Sequence, residues 1–333
     1  MGRYHPVGAF MSVTVNHLEG WRLKALILSI VAATFGYLAF SLWGGWEDVV
    51  AAFALIGISG TVIALAMSLV NYALRFIRWQ MYLTRLGHRM HWLPSLRIYL
   101  SGFALTTTPG KAGEAFRGVL LKQRQVPFPA TLAAFVSERL SDLVAVVLLT
   151  LVGLSQYPQA RGIVLAGVVG IVVVMIWLSS QRVLDKLHGW ASKREGKLMA
   201  LIADSTNMLA DARRCHSPGL LIMATLISVV AWGAEAVAFY WVLTWLGADI
   251  SLTFAVFVYS LSMLAGALSF LPGGLGGAEA VMISLLVLKG MATPAAVAAT
   301  VFIRLATLWF AVVIGLVALI KSRHGEYPKS KVA

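Results

Sequence analysis

Charged side chains lie inside several long apolar stretches of this sequence. The stretch AAFVSERLSDLVAVVLLTLVGL (133–154) contains Glu138, Arg139 and Asp142, and the stretch VVAWGAEAVAFYW contains Glu235. An ionised group costs roughly 3 kcal/mol at the centre of a membrane helix, even on the mildest scales, and usually marks a pathway or a site. These groups are therefore the first candidates for a functional site.

The cations in these stretches suggest anion binding. Arg139, Arg304 and Lys111 are the candidate ligands, with Arg117 at the cytoplasmic edge of the expected cavity. Arginine presents a planar fork of donors that suits phosphate oxygens.

The acids have three open interpretations: they could bind a cationic head group, carry a coupling proton, or neutralise the arginines in structural pairs. Glu279–Arg304 and Glu114–Arg139 are examples of such pairs. Glu138 and Asp142 are four residues apart and share a helix face, while Arg139 points about 100° away. Glu235, which has no charged neighbour in its helix, is the best candidate for proton coupling; the alternative is a hydrogen bond to a neighbouring helix. The five acids in this group are Glu114, Glu138, Asp142, Glu235 and Glu279.

Two glycine-rich segments share the pattern P-G-x-x-G, PGKAG (109–113) and PGGLG (272–276). Glycine lets backbone amides approach a ligand closely, and a following helix N-terminus attracts anions. Both segments could thus bind a phosphate; the plainer interpretation is a turn needed only for tight packing. The glycines concerned are Gly110, Gly113, Gly273, Gly274 and Gly276.

Composition indicates the kind of protein that must position these groups. Of the 333 residues, 59% are hydrophobic and only 12% are charged, whereas a soluble domain carries about 25% charged residues. The lone Cys215 excludes an internal disulfide, and neither it nor the seven scattered histidines forms a metal-ligand pattern. We therefore expect a membrane protein with no metal, no cofactor and no catalytic residue.

The formal charge of +13 reports topology rather than nucleic-acid binding. Of the 27 lysines and arginines, 22 lie in the segments 1–24, 75–97, 117–129, 181–217 and 321–333. Placing all five segments on the cytoplasmic side satisfies the positive-inside rule. Both termini are then cytoplasmic, and the basic surfaces contact anionic lipid head groups.

The resulting fold prediction is an all-α polytopic membrane protein forming one domain over 1–333. About six helices span the membrane, and two re-entrant helical hairpins, 96–128 and 252–288, enter it. The first arm of the second hairpin is also long enough to cross fully, which is the alternative. The predicted spans are 23–43, about 55–74, 130–153, 162–179, 219–246 and 294–320, with basic residues 75–92 at the cytoplasmic face and interfacial helices at 181–217.

The hairpins and their flanking helices form an internal repeat. Residues 133–154 align without gaps on residues 298–319, with ten of 22 positions identical and Arg139 matched to Arg304. YLTRLG (82–87) likewise matches VLTWLG (242–247). The first unit (55–153) starts outside and the second (219–320) starts inside. Inverted-topology repeats with interrupted helices are typical of transporters, whose site lies near the midplane.

Four motifs in order, PGKAGEAFRGVLL, FVSERLSDL, FLPGGLGGAEAV and FIRLATLW, resemble the flippase-like transmembrane region of lysylphosphatidylglycerol synthases and their stand-alone relatives. The resemblance covers about residues 55–320. It implies a bacterial or archaeal inner-membrane protein that handles a lipid, by translocation or by assisting a glycolipid pathway. No aminoacyl-transferase domain follows Ala333, so we do not expect the chain to make an aminoacyl lipid itself.

The favoured hypothesis is a lipid translocase whose partners are membrane lipids rather than nucleic acid. Its cargo would be an anionic or aminoacylated phospholipid or a polyprenyl-phosphate-linked lipid. One alternative is a membrane-embedded transferase acting on a polyprenyl phosphate or glycolipid, with Glu138 or Asp142 as general base. Another is a transporter of a soluble anion. A partner lipid-modifying enzyme and a homo-oligomer are left open.

Overall fold

The computed structural model of the chain describes residues 46–108, 114, 116–153, 158–162, 165–170, 173, 189–190, 215, 217–269 and 271–324. Within these residues all regular structure is helical. Three described helices are long and apolar enough to cross a bilayer: Glu47–Arg85, Gly219–Trp245 and Thr293–Lys321. The all-α class is therefore confirmed. The predicted span 23–43, most of 162–179, most of 181–217, and Gly110, Lys111 and Gly113 lie outside the described residues.

The first described helix, α1 (Trp46–Arg85), is longer than the predicted span 55–74. It is interrupted at Gly57, whose φ of 65° is open to glycine and strained for other residues. At its other end the helix continues through Arg75 and Arg78, which are buried inside the protein. Arg75 and Arg78 therefore do not belong to an exposed basic surface, because both have acidic partners on another helix.

The first hairpin region contains two short helices. Helix α2 (Trp92–Ser101) continues as a 3-10 turn over Gly102–Leu105, and α3 (Arg117–Lys122) has only six residues. Helix α4 (Phe128–Val152) follows and packs against α3. A Cβ on Gly102 would lie 2.6 Å from Nε of Arg117, so the glycine makes room for the arginine between the two arms.

Helix α5 (Pro218–Trp245) packs along α1. Both helices are followed by a Leu-Gly pair whose glycine has positive φ, 93° at Gly87 and 74° at Gly247. Such glycines terminate helices because they adopt the left-handed conformation without strain. Between the helices, Asn71 Nδ2 donates to the carbonyl of Ala231 at 2.9 Å.

The second hairpin consists of α6 (Leu252–Leu268) and α7 (Gly277–Leu288), which pack antiparallel. At 1.5 Å per residue they are about 25 Å and 18 Å long, and α7 is too short for a hydrocarbon core of about 30 Å. Nζ of Lys289 lies 5.5 Å from the ring centroid of Phe254. The start of α6 and the end of α7 are therefore neighbours.

The tip of this hairpin requires glycine. Gly273, Gly274 and Gly276 have φ values of 65°, 68° and 88°. A Cβ on Gly274 would also lie 3.0 Å from the backbone of Gly266 in α6. The three glycines reverse the chain and let it pack closely against its own first arm.

The last described helix combines α8 (Thr293–Arg304), a π-helical turn (Leu305–Trp309) and α9 (Phe310–His324). The Tyr72 hydroxyl of α1 donates to the carbonyl of Thr307 in the π-helical turn. Helix α9 packs along α2, and α4 packs along α6. Helix α9, which follows the second hairpin, thus packs on the first hairpin, and α4, which follows the first hairpin, packs on the second. The buried aromatic side chains that centre the two main apolar clusters are Phe239, Phe254, Phe257 and Phe302 in one, and Trp79, Tyr82, Tyr99 and Phe103 in the other.

Candidate functional site

A cavity of about 360 Å³ lies where the two hairpin regions meet α1, α4, α5 and the π-helical turn. Most of its wall is apolar, with a small set of polar groups, as in many ligand sites. Of the predicted site residues, those that line it are Arg139, Asp142, Glu235, Gly273, Gly274 and Arg304.

Arg139 is the most accessible arginine of the cavity. Its side chain is 24% exposed, against 6% for Arg75 and 5% for Arg304. Its Nη2 lies 3.2 Å from Asp142 Oδ2 and 3.4 Å from Glu114 Oε2, while its Nε makes no hydrogen bond in the described part of the chain. Arg139 is therefore anchored by two acids, with its Nε buried, and still presents part of its side chain to the cavity.

Arg304 is held more tightly, at the tip of the second hairpin. Its Nε lies 2.6 Å from Glu279 Oε1, and its Nη2 donates to the carbonyl of Gly273 at 2.9 Å. The other oxygen of Glu279 accepts the backbone N–H of Gly276 at 2.7 Å. The arginine and the acid together fasten α8 to the turn. Gly276 and Glu279 do not line the cavity.

Asp142 is surrounded by donors. Its Oδ1 accepts from Arg78 Nη1 at 2.7 Å and from Trp232 Nε1 at 3.0 Å, and its Oδ2 accepts from Arg75 Nη2 at 3.4 Å. Arg139 also contacts Asp142, so three arginines in all contact this one carboxylate. The donors therefore neutralise Asp142, and Arg78 and Arg139 also contact Glu138 and Glu114.

Arg75 and Arg78 were missed in the sequence because they open a basic stretch that follows an apolar run. Two signals were present. They are three residues apart, so they share a helix face, and apolar Phe76, Ile77 and Trp79 surround them. Such interleaving of charged and large apolar residues is unusual in a solvated basic segment.

Arg117 does not lie at the edge of the cavity as predicted. It is fully buried, with its Nη2 2.6 Å from Glu114 and its Nη1 3.0 Å from Glu138. The rings of Trp79 and Tyr99 have their centroids 4.8 Å and 4.7 Å from its guanidinium carbon. Two carboxylates and two aromatic faces offset the cost of burying the charge. Arg117 therefore lies outside the cavity lining and stabilises the acids next to it.

Glu138 also lies behind the cavity, and the predicted shared face with Asp142 is found. Arg78 bridges the two acids, with Nη2 3.8 Å from Glu138 and Nη1 2.7 Å from Asp142. Glu114 links this network to the cavity wall, since it accepts a hydrogen bond from Thr106 at 2.6 Å and contacts Arg139. The predicted Glu114–Arg139 and Glu279–Arg304 pairs both occur.

Glu235 lines the cavity on the side of α5. The hydroxyl of Tyr259 in α6 donates to its Oε2 at 2.6 Å. This is the hydrogen bond to a neighbouring helix that was one of its two predicted interpretations. The cavity therefore has an acidic group on one wall and arginines on others.

Comparison with known proteins assigns the chain to a family of membrane proteins. The chain matches the family described as the lysylphosphatidylglycerol synthase transmembrane region over residues 25–315. It is similar to a UPF0104 membrane protein of Methanothermobacter thermautotrophicus, with 25% identity over 285 residues, covering 78% of this chain and 84% of the relative. A UPF0104 membrane protein of Pyrococcus horikoshii is 22% identical over 330 residues, covering 90% of this chain and 98% of the relative. With its long apolar helices and a match over nearly the whole sequence, this membrane protein belongs to the lysylphosphatidylglycerol synthase transmembrane-region family.

Proposed function

We propose that the protein is a lipid translocase that binds a phosphate-bearing head group in the cavity. The observation that carries the proposal is the convergence of Arg139 and Arg304, two arginines at aligned positions of an internal repeat, on one largely apolar cavity. Arginine binds phosphate through paired, charge-assisted hydrogen bonds. Apolar walls around a few cationic donors suit an amphiphile better than a fully hydrated ion.

The cargo is an anionic or aminoacylated phospholipid or a polyprenyl-phosphate-linked lipid. Its head group crosses the inner membrane through the cavity while its hydrocarbon chains stay in the bilayer. Both termini face the cytoplasm, where the basic segments meet anionic lipids.

An inverted-topology repeat underlies this function. Extending the two ungapped alignments to the cavity pairs lining residues of the first half with lining residues of the second. The pairs are Tyr72 with Trp232, Arg75 with Glu235, Phe103 with Met263, Thr106 with Gly266, Arg139 with Arg304, Asp142 with Thr307, Leu143 with Leu308, and Val146 with Ala311. Pairing of this kind is expected when a cavity lies on the axis that relates two repeats.

The hairpins are re-entrant in this proposal. Helix α7 is about 18 Å long and cannot span the hydrocarbon core. The contact between Lys289 and Phe254 supports placing both ends of the second hairpin at the same membrane face. The glycine turn then lies at mid-depth, surrounded by protein, where non-helical backbone is tolerated.

The contacts of the two candidate general bases do not favour the transferase. Glu138 is fully buried and does not line the cavity. The carboxylate oxygens of Asp142 are already engaged by Arg75, Arg78 and Arg139. Binding without chemistry fits these surroundings better.

The test compares the lipids that copurify with the wild type and with Arg139→Gln from native membranes, identified by mass spectrometry. Loss of one charge-assisted contact of about 1.5–3 kcal/mol should weaken the affinity for the lipid by about tenfold or more, and the amount of copurified lipid should fall. Arg97→Gln removes the same charge from an exposed position of α2 and should leave the lipid bound. Identical bulk lipid in all three proteins would contradict the head-group site.

Transport is tested with the same variants in proteoliposomes. A fluorescent analogue of the copurified lipid is placed in both leaflets, and the fraction that an impermeant quencher bleaches is followed over time. The wild type and Arg97→Gln should expose the inner-leaflet lipid faster than empty vesicles, and Arg139→Gln should be slower. Binding without any acceleration would contradict translocation and leave a lipid-binding protein.

A further inference from the structure

The cavity has a buried polar floor and an exposed apolar rim. Arg75, Trp232, Glu235 and Tyr259 on the floor are all buried. The rim is formed by Ala267, Leu268 and Leu271, which line the cavity and are also exposed on the outside of the protein. Leu268 is 66% exposed and Leu271 47% exposed. We call these three residues the leucine rim; the cavity is open toward the surroundings at this place.

The chemistry of the leucine rim does not suit a hydrated ion. No charged residue occurs from Ser251 to Leu271. The neighbouring wall continues the apolar surface inward through Leu264 and Leu308 toward Arg304. In a membrane protein, exposed leucines of this kind contact hydrocarbon rather than water. The surface therefore changes from charged and polar at depth to purely apolar at the opening, which is the polarity of an amphiphile.

The leucine rim is close in sequence to the backbone carbonyl that contacts Arg304. Leu271 lies two residues before Gly273, whose carbonyl accepts a hydrogen bond from Arg304. The tip is further fixed against α6 by the close approach of Gly274 to Gly266. A molecule bound beside Arg304 can therefore extend an apolar chain along the turn to the outside of the protein.

We propose that the leucine rim is a lateral portal occupied by a hydrocarbon chain of the bound lipid. This inference rests on the proposed head-group site and adds to it the class of ligand and its orientation. The phosphate contacts Arg139, and one acyl or isoprenoid chain runs from the cavity past the leucine rim into the bilayer. The ligand is then a membrane lipid, and a water-soluble phosphate ester of the same head group lacks the apolar chain that contacts the rim.

The experiment places a photo-crosslinking benzophenone amino acid at Leu271. The matched control is the same amino acid at Leu288, which is 79% exposed at the opposite end of the same hairpin and does not line the cavity. Each protein is reconstituted in phosphatidylcholine vesicles that contain phosphatidylglycerol and undecaprenyl phosphate as minor components. The lipid adducts are then identified by mass spectrometry, with and without Arg139→Gln.

We expect the adducts at residue 271 to be enriched severalfold in one phosphate lipid over its share of the bilayer, attached through its hydrocarbon chain. Arg139→Gln should abolish the enrichment, and adducts at residue 288 should follow the bulk composition in both backgrounds. Bulk composition at residue 271, with copurified lipid still dependent on Arg139, would overturn the portal and leave the head-group site standing. If neither the adducts nor the copurified lipid depends on Arg139, the proposed function itself fails.

Discussion

At the scale of single residues, Arg139 and Arg304 occupy aligned positions but have different surroundings. Arg304 is the buried partner of Glu279, whereas Arg139 is partly exposed and shares its acids with other arginines. Removing Arg304 would leave a buried carboxylate without its partner, which typically costs 3–5 kcal/mol. We therefore expect Arg304→Gln to lower the melting temperature strongly and Arg139→Gln to lower it little. Thermal unfolding in detergent, monitored by size-exclusion chromatography, measures both; equal melting temperatures would contradict the difference.

Arg117 offers a second test at this scale. Lysine keeps the charge but loses the planar fork that contacts Glu114 and Glu138 and the stacking on two aromatic rings. Arg117→Lys should therefore destabilise the fold by about 2–3 kcal/mol. The same change at the exposed Arg97 should stay within about 0.5 kcal/mol. Comparable losses in the two variants would show that Arg117 contributes only its charge.

Replacing Glu235 by glutamine removes the charge of the side chain while keeping its shape. In Glu235→Gln the side-chain carbonyl can still accept the hydrogen bond from Tyr259, so we expect normal stability. If Glu235 carries a coupling proton, the variant should transport at a rate independent of an imposed pH gradient, while the wild type responds to it. Proteoliposomes with and without the gradient provide the measurement. A wild type that ignores the gradient would leave Glu235 a structural acceptor.

At the scale of elements, the contact of α9 with the first hairpin depends on one glycine. A Cβ on Gly315 would lie 2.1 Å from the backbone N of Ala104, and backbone cannot move aside cheaply. Gly315→Ala should therefore destabilise the protein by about 1–3 kcal/mol. Gly233→Ala in α5, where no atom of the described residues outside the local helix backbone lies within 4 Å of the added Cβ, should be neutral or stabilising. Melting temperatures of the two variants test the packing; an unchanged Gly315→Ala would contradict the close approach.

The elements also show where sequence patterns were informative. The predicted spans 219–246 and 294–320 match described helices at 218–245 and 293–324 within a few residues, because long apolar runs with charged or glycine ends are local signals. The π-helical turn after Arg304 had no such signal. The corresponding segment of the first repeat, which aligns with it without gaps, lies within the α-helix α4.

At the scale of the whole molecule, the proposed topology makes a prediction about sidedness. Single cysteines at the exposed positions Asp249 and Lys289, in a Cys215→Ser background, flank the second hairpin. If the hairpin is re-entrant, an impermeant maleimide should label both from the outer face and neither from the cytoplasmic face. A cysteine at Ala333 should show the opposite pattern. Labelling of residues 249 and 289 from different faces would mean that α6 crosses the membrane completely.

The amino-acid sequence by itself determined the helical membrane class, the family and a large part of the candidate site. Apolar length, the separation of basic segments and the paired glycine motifs are all properties of contiguous residues. Four charged residues chosen in this way, Arg139, Asp142, Glu235 and Arg304, line one cavity.

Only the tertiary structure decided which charges meet. It brought Arg75 and Arg78 from an expected surface segment to Asp142, and moved Arg117 from the cavity edge to a position behind it. These ion pairs join residues far apart in sequence. Their formation depends on desolvation and on distances of a few ångströms between helices, which no local pattern encodes.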